Sequence, residues 1–199
     1  MILMRFSVLV LALVLLLPAG AVSGRTPERD PDAGTTSKAP IADLDTLFDA
    51  LGHARTEADA KLIEGEIWAI WAHSGSPTAD LLLERAMTAL ENEDVETARL
   101  ILDALVELAP DFAEAWHRRG EAAALAEDYE TALLCLRKAL ALEPRHFAAL
   151  TGLGSIFEEY GDKPAALEAY RRALAINPFI APLGTIERRL SRDVEGQKI

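Results

Sequence analysis

The side chains that could do chemistry are few and poorly placed for it. The four histidines, His53, His73, His117 and His146, are scattered, and no two stand four apart as a zinc-binding helix pair requires. The single cysteine, Cys135, excludes an intrachain disulfide and a cysteine-based zinc site; its register in an apolar helix predicts a small buried hydrophobe. No Gly-x-Ser-x-Gly elbow, phosphate loop or metalloprotease motif occurs. Thr151-Gly152-Leu153-Gly154-Ser155 has the glycines of a phosphate cradle. It lacks the following lysine and falls inside a helix, where the backbone N–H groups are already bonded. Adjacent acids such as Glu158 and Glu159 point about 100° apart on a helix and cannot share one reacting atom. Trp68 and Trp71, three apart, serve either as core packing or as an exposed aromatic platform. The remaining chemistry is that of recognition, with no cofactor or metal implied.

The elements that must position these groups are set by a repeat. Trp116, Gly120, Ala132, Ala139 and Pro144 return 34 residues later as Leu150, Gly154, Ala166, Ala173 and Pro178. A fainter copy precedes them as Leu82, Ala86, Ala98, Leu105 and Pro110. A fixed period of this length marks stacked helical hairpins, because one hairpin cannot bury its apolar face alone. Asp94, Asp128 and Asp162 recur where the second helix of each hairpin must start, so each is expected to cap that helix. Gly161 suits a helix end and Pro164 a first turn, and Pro110, Pro144 and Pro178 stop the second helices. Glycine or alanine at 120, 132, 154 and 166 lets paired backbones approach, while Trp116, Leu150, Phe157 and Tyr170 fill the space between.

Before the repeats, Leu44, Leu47, Phe48 and Leu51 share one helical face, and a second helix over roughly 57–73 carries Ile63, Ile67, Ile70 and Trp71. Glu64 stands where the later copies have Ala98, Ala132 and Ala166, so residues 41–76 are expected to form a diverged hairpin capping the open end of the stack. After Pro178, Leu183, Ile186 and Leu190 outline a shielding helix within 181–199.

These coordinated positions are similar to the signature of the tetratricopeptide repeat family. Trp116, Gly120 and Ala123 with Ala132, Leu136, Ala139 and Pro144 carry the resemblance; so do Leu150, Leu153, Gly154 and Phe157 with Ala166, Tyr170, Ala173 and Pro178. It covers residues 77–180 as three copies, 79–112, 113–146 and 147–180. The resemblance implies an all-α, right-handed solenoid of antiparallel helical hairpins whose first helices line a concave groove for a peptide or a partner's helix. Carried over position by position, the groove residues would be Leu83 and Met87, then His117, Glu121 and Leu125, then Thr151, Ser155 and Glu158. Asp80, Leu90, Glu114 and Ala148 fall on the same faces. The lining runs from apolar to acidic, which suits a protein or peptide ligand with an apolar anchor and a neutral or basic flank. The family's clamp for a C-terminal carboxylate uses cationic and amide side chains where this chain has Leu83, Met87, Ala148 and Gly152, so that use is not expected.

Composition bounds the rest. Arg5 followed by the apolar run Phe6–Leu17, then Pro18 and small residues, reads as a signal peptide over 1–23, cleaved after Ala21 or Ser23. Residues 24–40, with three prolines and almost nothing apolar, read as a flexible linker. The formal charge of −12 becomes −13 when the signal leaves with Arg5 and no acid, which argues against nucleic acid and anionic lipid as partners. The expected protein is exported to the cell envelope, periplasmic in a Gram-negative bacterium, with secretion or an uncleaved N-terminal anchor as the alternative locations, and works as a non-catalytic scaffold or adaptor. The alternatives are an accessory subunit of an envelope or cell-wall enzyme and a self-associating structural repeat.

Overall fold

The computed structural model describes residues 43–196, so the expected signal peptide and linker lie outside the described residues. Among the described residues the chain is all-helical: α1 (Leu44–Gly52), α2 (Glu57–Trp71), α3 (Pro77–Glu91), α4 (Val95–Leu108), α5 (Ala113–Leu125), α6 (Tyr129–Leu142), α7 (Phe147–Glu159), α8 (Lys163–Ile176) and α9 (Leu183–Glu195). None of these helices is long and apolar enough to cross a membrane.

The repeat's capping logic holds in every copy. Asp94 accepts from Thr97 N–H, Asp128 from Thr131 N–H and Asp162 from Ala165 N–H, each supplying an otherwise missing acceptor at a helix start. The residue before each aspartate turns left-handed: Glu93 at φ 60°, Glu127 at φ 59° and Gly161 at φ 73°. That turn lets each first helix pass into its partner within three residues.

Packing follows the small-residue code. α3–α4, α5–α6 and α7–α8 form antiparallel pairs stacked in a solenoid. Ala98, Ala132 and Ala166 are fully buried at the crossings. Gly154 is a required close approach, since any Cβ there would overlap the Tyr170 ring. Tyr170 itself is buried, its hydroxyl donating to Glu158 at 3.0 Å with Ser155 at 3.2 Å. α9 closes the far end by burying Leu183 and Leu190 against α8, with Arg171 bonded to Glu187 and Glu195 across the joint. Cys135 is buried, as its register predicts, and Arg119 Nη1 lies 3.0 Å from its sulfur.

The α1–α2 hairpin covers the array in a place the repeat does not foretell. Its apolar cluster, Leu47, Phe48, Leu51, Ala60, Ile67 and Trp71, packs with Phe147, Ala148, Ile176, Phe179 and Ile180 instead of lying in series ahead of α3. Glu64 is part of the reason: a carboxylate cannot sit in the alanine slot of a close crossing. It bonds to the Asn177 amide at the end of α8 instead. The outer side of α3 is consequently left with Leu81 exposed.

Candidate functional site

The hairpin docks on the turn between α6 and α7. Pro144 ends α6 and the chain re-enters a helix at Phe147, which places Arg145 and His146 side by side but facing different partners. Arg145 reaches outward to Asp45 at 2.6 Å and lies over the Phe48 ring at 4.3 Å. His146 points inward, stacked on the Trp71 ring with centroids 4.2 Å apart and planes 9° from parallel. Trp68 meets Phe147 edge-on at 5.7 Å and carries the Arg118 guanidinium over its face at 5.3 Å. Both tryptophans are therefore packing residues.

Docked this way, α2 overhangs the inner face of the array and bounds a partly open chamber of about 800 Å³. The roof is Glu57, Ala60, Lys61, Glu64 and Trp68. One wall is α5 with His117, Arg118, Glu121 and Leu125; the other is α7 with Thr151, Ser155, Ile156 and Glu159. Phe179 and Ile180 close one side. The interior is mainly apolar. Its polar fittings include four carboxylates, the Lys61 ammonium, the His117 and Arg118 side chains, Tyr129, and two hydroxyls on successive turns of α7. Arg118 is already committed to Glu114 and Glu121, so the surplus charge facing the chamber is negative.

Beneath the roof lies a cluster of buried polar groups. Glu114 is 2% exposed, and a carboxylate so enclosed must be paired. Arg118 Nε donates to its Oε1 at 2.6 Å and His146 Nε2 contacts its Oε2 at 3.0 Å. His117 Nδ1 lies 3.3 Å from the same Oε2, close enough to attract but out of line for a hydrogen bond, and has no partner; Trp71 Nε1 is likewise unpartnered. Burial pushes the Glu114 carboxyl up. The two imidazoles and the Arg118 guanidinium outweigh it and hold that carboxyl far below the usual carboxylate range. Burial also pushes His146 down, against the pull of Glu114, so His146 is neutral at pH 7. Arg118 is raised: burial opposes its charge, but Glu114 and Glu121 prevail.

Glu114, His117 and His146 bring possible metal-ligand atoms within 4.8 Å of one another. The donor set does not fit a metal. His146 Nδ1 accepts the Ala149 N–H at 3.2 Å, as the cap of α7, so the ring proton sits on Nε2, the atom that would have to coordinate. The second Glu114 oxygen is taken by Arg118. The cluster is a hydrogen-bonded set within the array, on which the roof rests through the Trp71 and Trp68 rings.

Of the residues expected to line a groove, His117, Glu121, Leu125, Thr151 and Ser155 come together on the chamber walls. Leu83 and Met87 do not. Leu83 is buried with Leu102 and Leu105 in the core of the α3–α4 pair, and Met87 and Ala72, the residue that follows α2, pack against that core. Glu158 turns to Tyr170 and to Arg189 of α9, leaving Glu159 on the chamber. Asp80 holds the linker after α2, accepting from Ser74 N–H at 2.7 Å and Ser74 Oγ at 2.6 Å. Sequence reasoning missed the roof and His146. The available signals were Glu64 in an alanine slot and a histidine where the neighbouring repeats hold Phe112 and Ile180.

With this geometry in hand, comparisons with known proteins agree on the repeat. Residues 83–134 and 126–179 match the tetratricopeptide repeat family model. A TPR repeat-containing protein of Rhizobium etli is 40% identical over 83 residues, which cover 42% of this chain and 41% of that protein. The chain thus spans about two fifths of the length of that curated relative. Among solved structures, the Arabidopsis OM64 TPR domain is similar with a TM-score of 0.57 and 19% identity, over 59% of this chain and 97% of that one. The first TPR of Spaghetti (RPAP3), bound to HSP90 peptide SRMEEVD, is similar with a TM-score of 0.56 and 17% identity, over 59% of this chain and 93% of that one.

Proposed function

We propose that this chain, with tetratricopeptide repeats within residues 83–179, is an exported, non-catalytic scaffold that holds a peptide segment of a partner protein in the chamber under α2. The chamber itself carries the reading. Its volume of about 800 Å³ lies within the range of pre-formed ligand sites, and its mainly apolar interior carries a few oriented polar groups. The segment it suits is extended, with an apolar side chain against Leu125 and Ile156 and backbone groups within reach of Thr151 and Ser155. Glu57, Glu64, Glu121 and Glu159 favour a neutral or basic flank. The peptide SRMEEVD of the structural neighbour is acidic by contrast, and the carboxylates here would repel it. The location rests on residues 1–23, whose charge, apolar run and small residues suit export to the envelope.

Selection from a displayed peptide library tests the ligand class. Enrichment of segments with one large apolar residue beside Lys or Arg is expected, with loss of binding in a Leu125→Arg plus Thr151→Arg variant that keeps its helical signal. Binders that ignore the double substitution would place recognition elsewhere. For export, the chain lacking residues 1–24 should stay inside producing cells while the full chain reaches the envelope.

A further inference from the structure

The joint between roof and array contains a group whose structural role exists in only one protonation state. His146 Nδ1 is the acceptor that caps α7, taking the Ala149 N–H at 3.2 Å, and its Nε2–H faces Glu114 at 3.0 Å. A second proton can go only on Nδ1, where it would point at the Ala149 N–H, donor against donor, with the ring fully enclosed and no solvent to accept it. We propose that His146 is a proton-operated latch: neutral, it caps α7 and holds the α1–α2 hairpin down over the chamber; protonated, it lets the hairpin swing away.

Every group facing His146 bears on this. From α5, Glu114 attracts a proton, while His117, with its ring centroid 4.4 Å away, and Arg118 oppose a second cation beside one carboxylate already bonded to Arg118. From α2, Trp71 and Trp68 present uncharged rings. The Trp71 face attracts a cation weakly but offers no acceptor to the Nδ1 proton. From α1, Asp45 is spent on Arg145, which is also held by Glu143. A protonated His146 relieves its conflict by leaving the stack, and Trp71 then loses the ring it rests on. The path is present: α2 ends at Trp71, and a short linker with Gly75 at φ 84° leads into α3, anchored by Asp80 on the array side. The hairpin can therefore pivot without disturbing the repeats.

The functional consequence, opening of the chamber in mildly acidic surroundings, rests on the reading of that chamber as the binding site. The latch itself is measured without ligand, so a failed peptide selection leaves it standing. Amide hydrogen exchange of the full chain, corrected for the intrinsic pH dependence, compares α2 with α8 as an internal reference. Between about pH 7.5 and about pH 5, protection of α2 is expected to fall roughly tenfold relative to α8. His146→Asn, which keeps a capping oxygen and cannot titrate, should hold that ratio, and His117→Asn should fall like the parent. Acrylamide quenching of tryptophan in a Trp116→Phe background gives a second reading of the parent chain, expected to rise over the same interval. A flat ratio in the parent overturns the latch. So does a fall in His146→Asn equal to the parent's, or flattening by His117→Asn alone, which would make His117 the proton acceptor.

Discussion

Two kinds of hairpin share this molecule and are held by opposite means. The α7–α8 pair, like the α5–α6 pair before it, is joined at close crossings, with the Tyr170 ring laid on the bare backbone of Gly154, Leu136 on that of Gly120, and alanines buried beside them. The α1–α2 pair is joined side chain to side chain, by Trp71 on His146, Phe48 under Arg145 and Glu64 on Asn177. A buried side chain laid on bare backbone has little slack, because the backbone has no rotamer to change and the close packing around the side chain confines it. A contact of long side chains can part and reform as a unit. The latch proposed above requires that the array act as a fixed frame and the hairpin as the piece that moves upon it.

The sharpest way to break this contrast is to remove the tryptophan. Trp71→Ala deletes the ring that stacks on His146 and tilts against Phe48, which by analogy with other buried aromatic truncations costs about 3–5 kcal/mol. If the hairpin is a separate piece, that loss falls on it alone. Exchange protection should vanish over α1 and α2 while α5 to α8 keep theirs. Uniform loss across all helices would show that hairpin and array fold as one unit. Gly154→Ala asks the converse. Its Cβ would overlap the Tyr170 ring, so the expected cost is about 1–3 kcal/mol and a melting temperature lower by roughly 2–10 °C for a chain of this size. That loss should spread through α7, α8 and α9. A melting temperature unchanged in calorimetry would mean that Tyr170 can move aside.

The frame was legible in the sequence because each of its parts is a local rule repeated. Asp94, Asp128 and Asp162 announce helix starts, Pro110, Pro144 and Pro178 announce stops, and the small residues report close crossings. Five of the eight expected groove residues do line the chamber, since α5 and α7 present the same faces that the repeat register gives them. The hairpin's position was not legible. Nothing local distinguishes a helix that stacks ahead of α3 from one that folds onto α7, more than 70 residues on. That choice is made by long-range pairs, Asp45 with Arg145 and Glu64 with Asn177, whose members look like ordinary solvated polar residues in the sequence. Glu114 shows the same limit: it reads as a groove acid, and only the roof makes it a buried one.

A gentler test loosens the hairpin without removing its core. Arg145→Ala ends the ion pair with Asp45 and the stacking over Phe48. Asp45 is largely exposed, so water screens most of that ion pair, and the expected loss is about 1 kcal/mol, mainly from the stacking. Protection of α1 should drop several-fold with the melting of the array unchanged. Equal loss at α8 would show that Arg145 supports the frame itself.

The smallest expected effect sharpens the contrast from within the frame. Each repeat makes its left-handed turn at one residue, and the third copy places Gly161 there while the first two place Glu93 and Glu127. A side chain in that conformation costs about 1–2 kcal/mol, because its Cβ crowds the following carbonyl. Glycine avoids the strain but has more freedom to lose on folding, which takes back part of the gain. Glu127→Gly should therefore stabilise the array by about 0.5–1 kcal/mol, and Gly161→Ala should destabilise it by a similar amount. Paired chemical denaturation curves would read both, and the midpoints should move in opposite directions with the slopes unchanged. Because the turn lies inside the frame and away from the joint, protection of α8 should move with the midpoints while the protection of α2 by local opening stays unchanged. An equal shift in α2 and α8 would mean the hairpin feels the internal strain of the array, and the two regions would then be one.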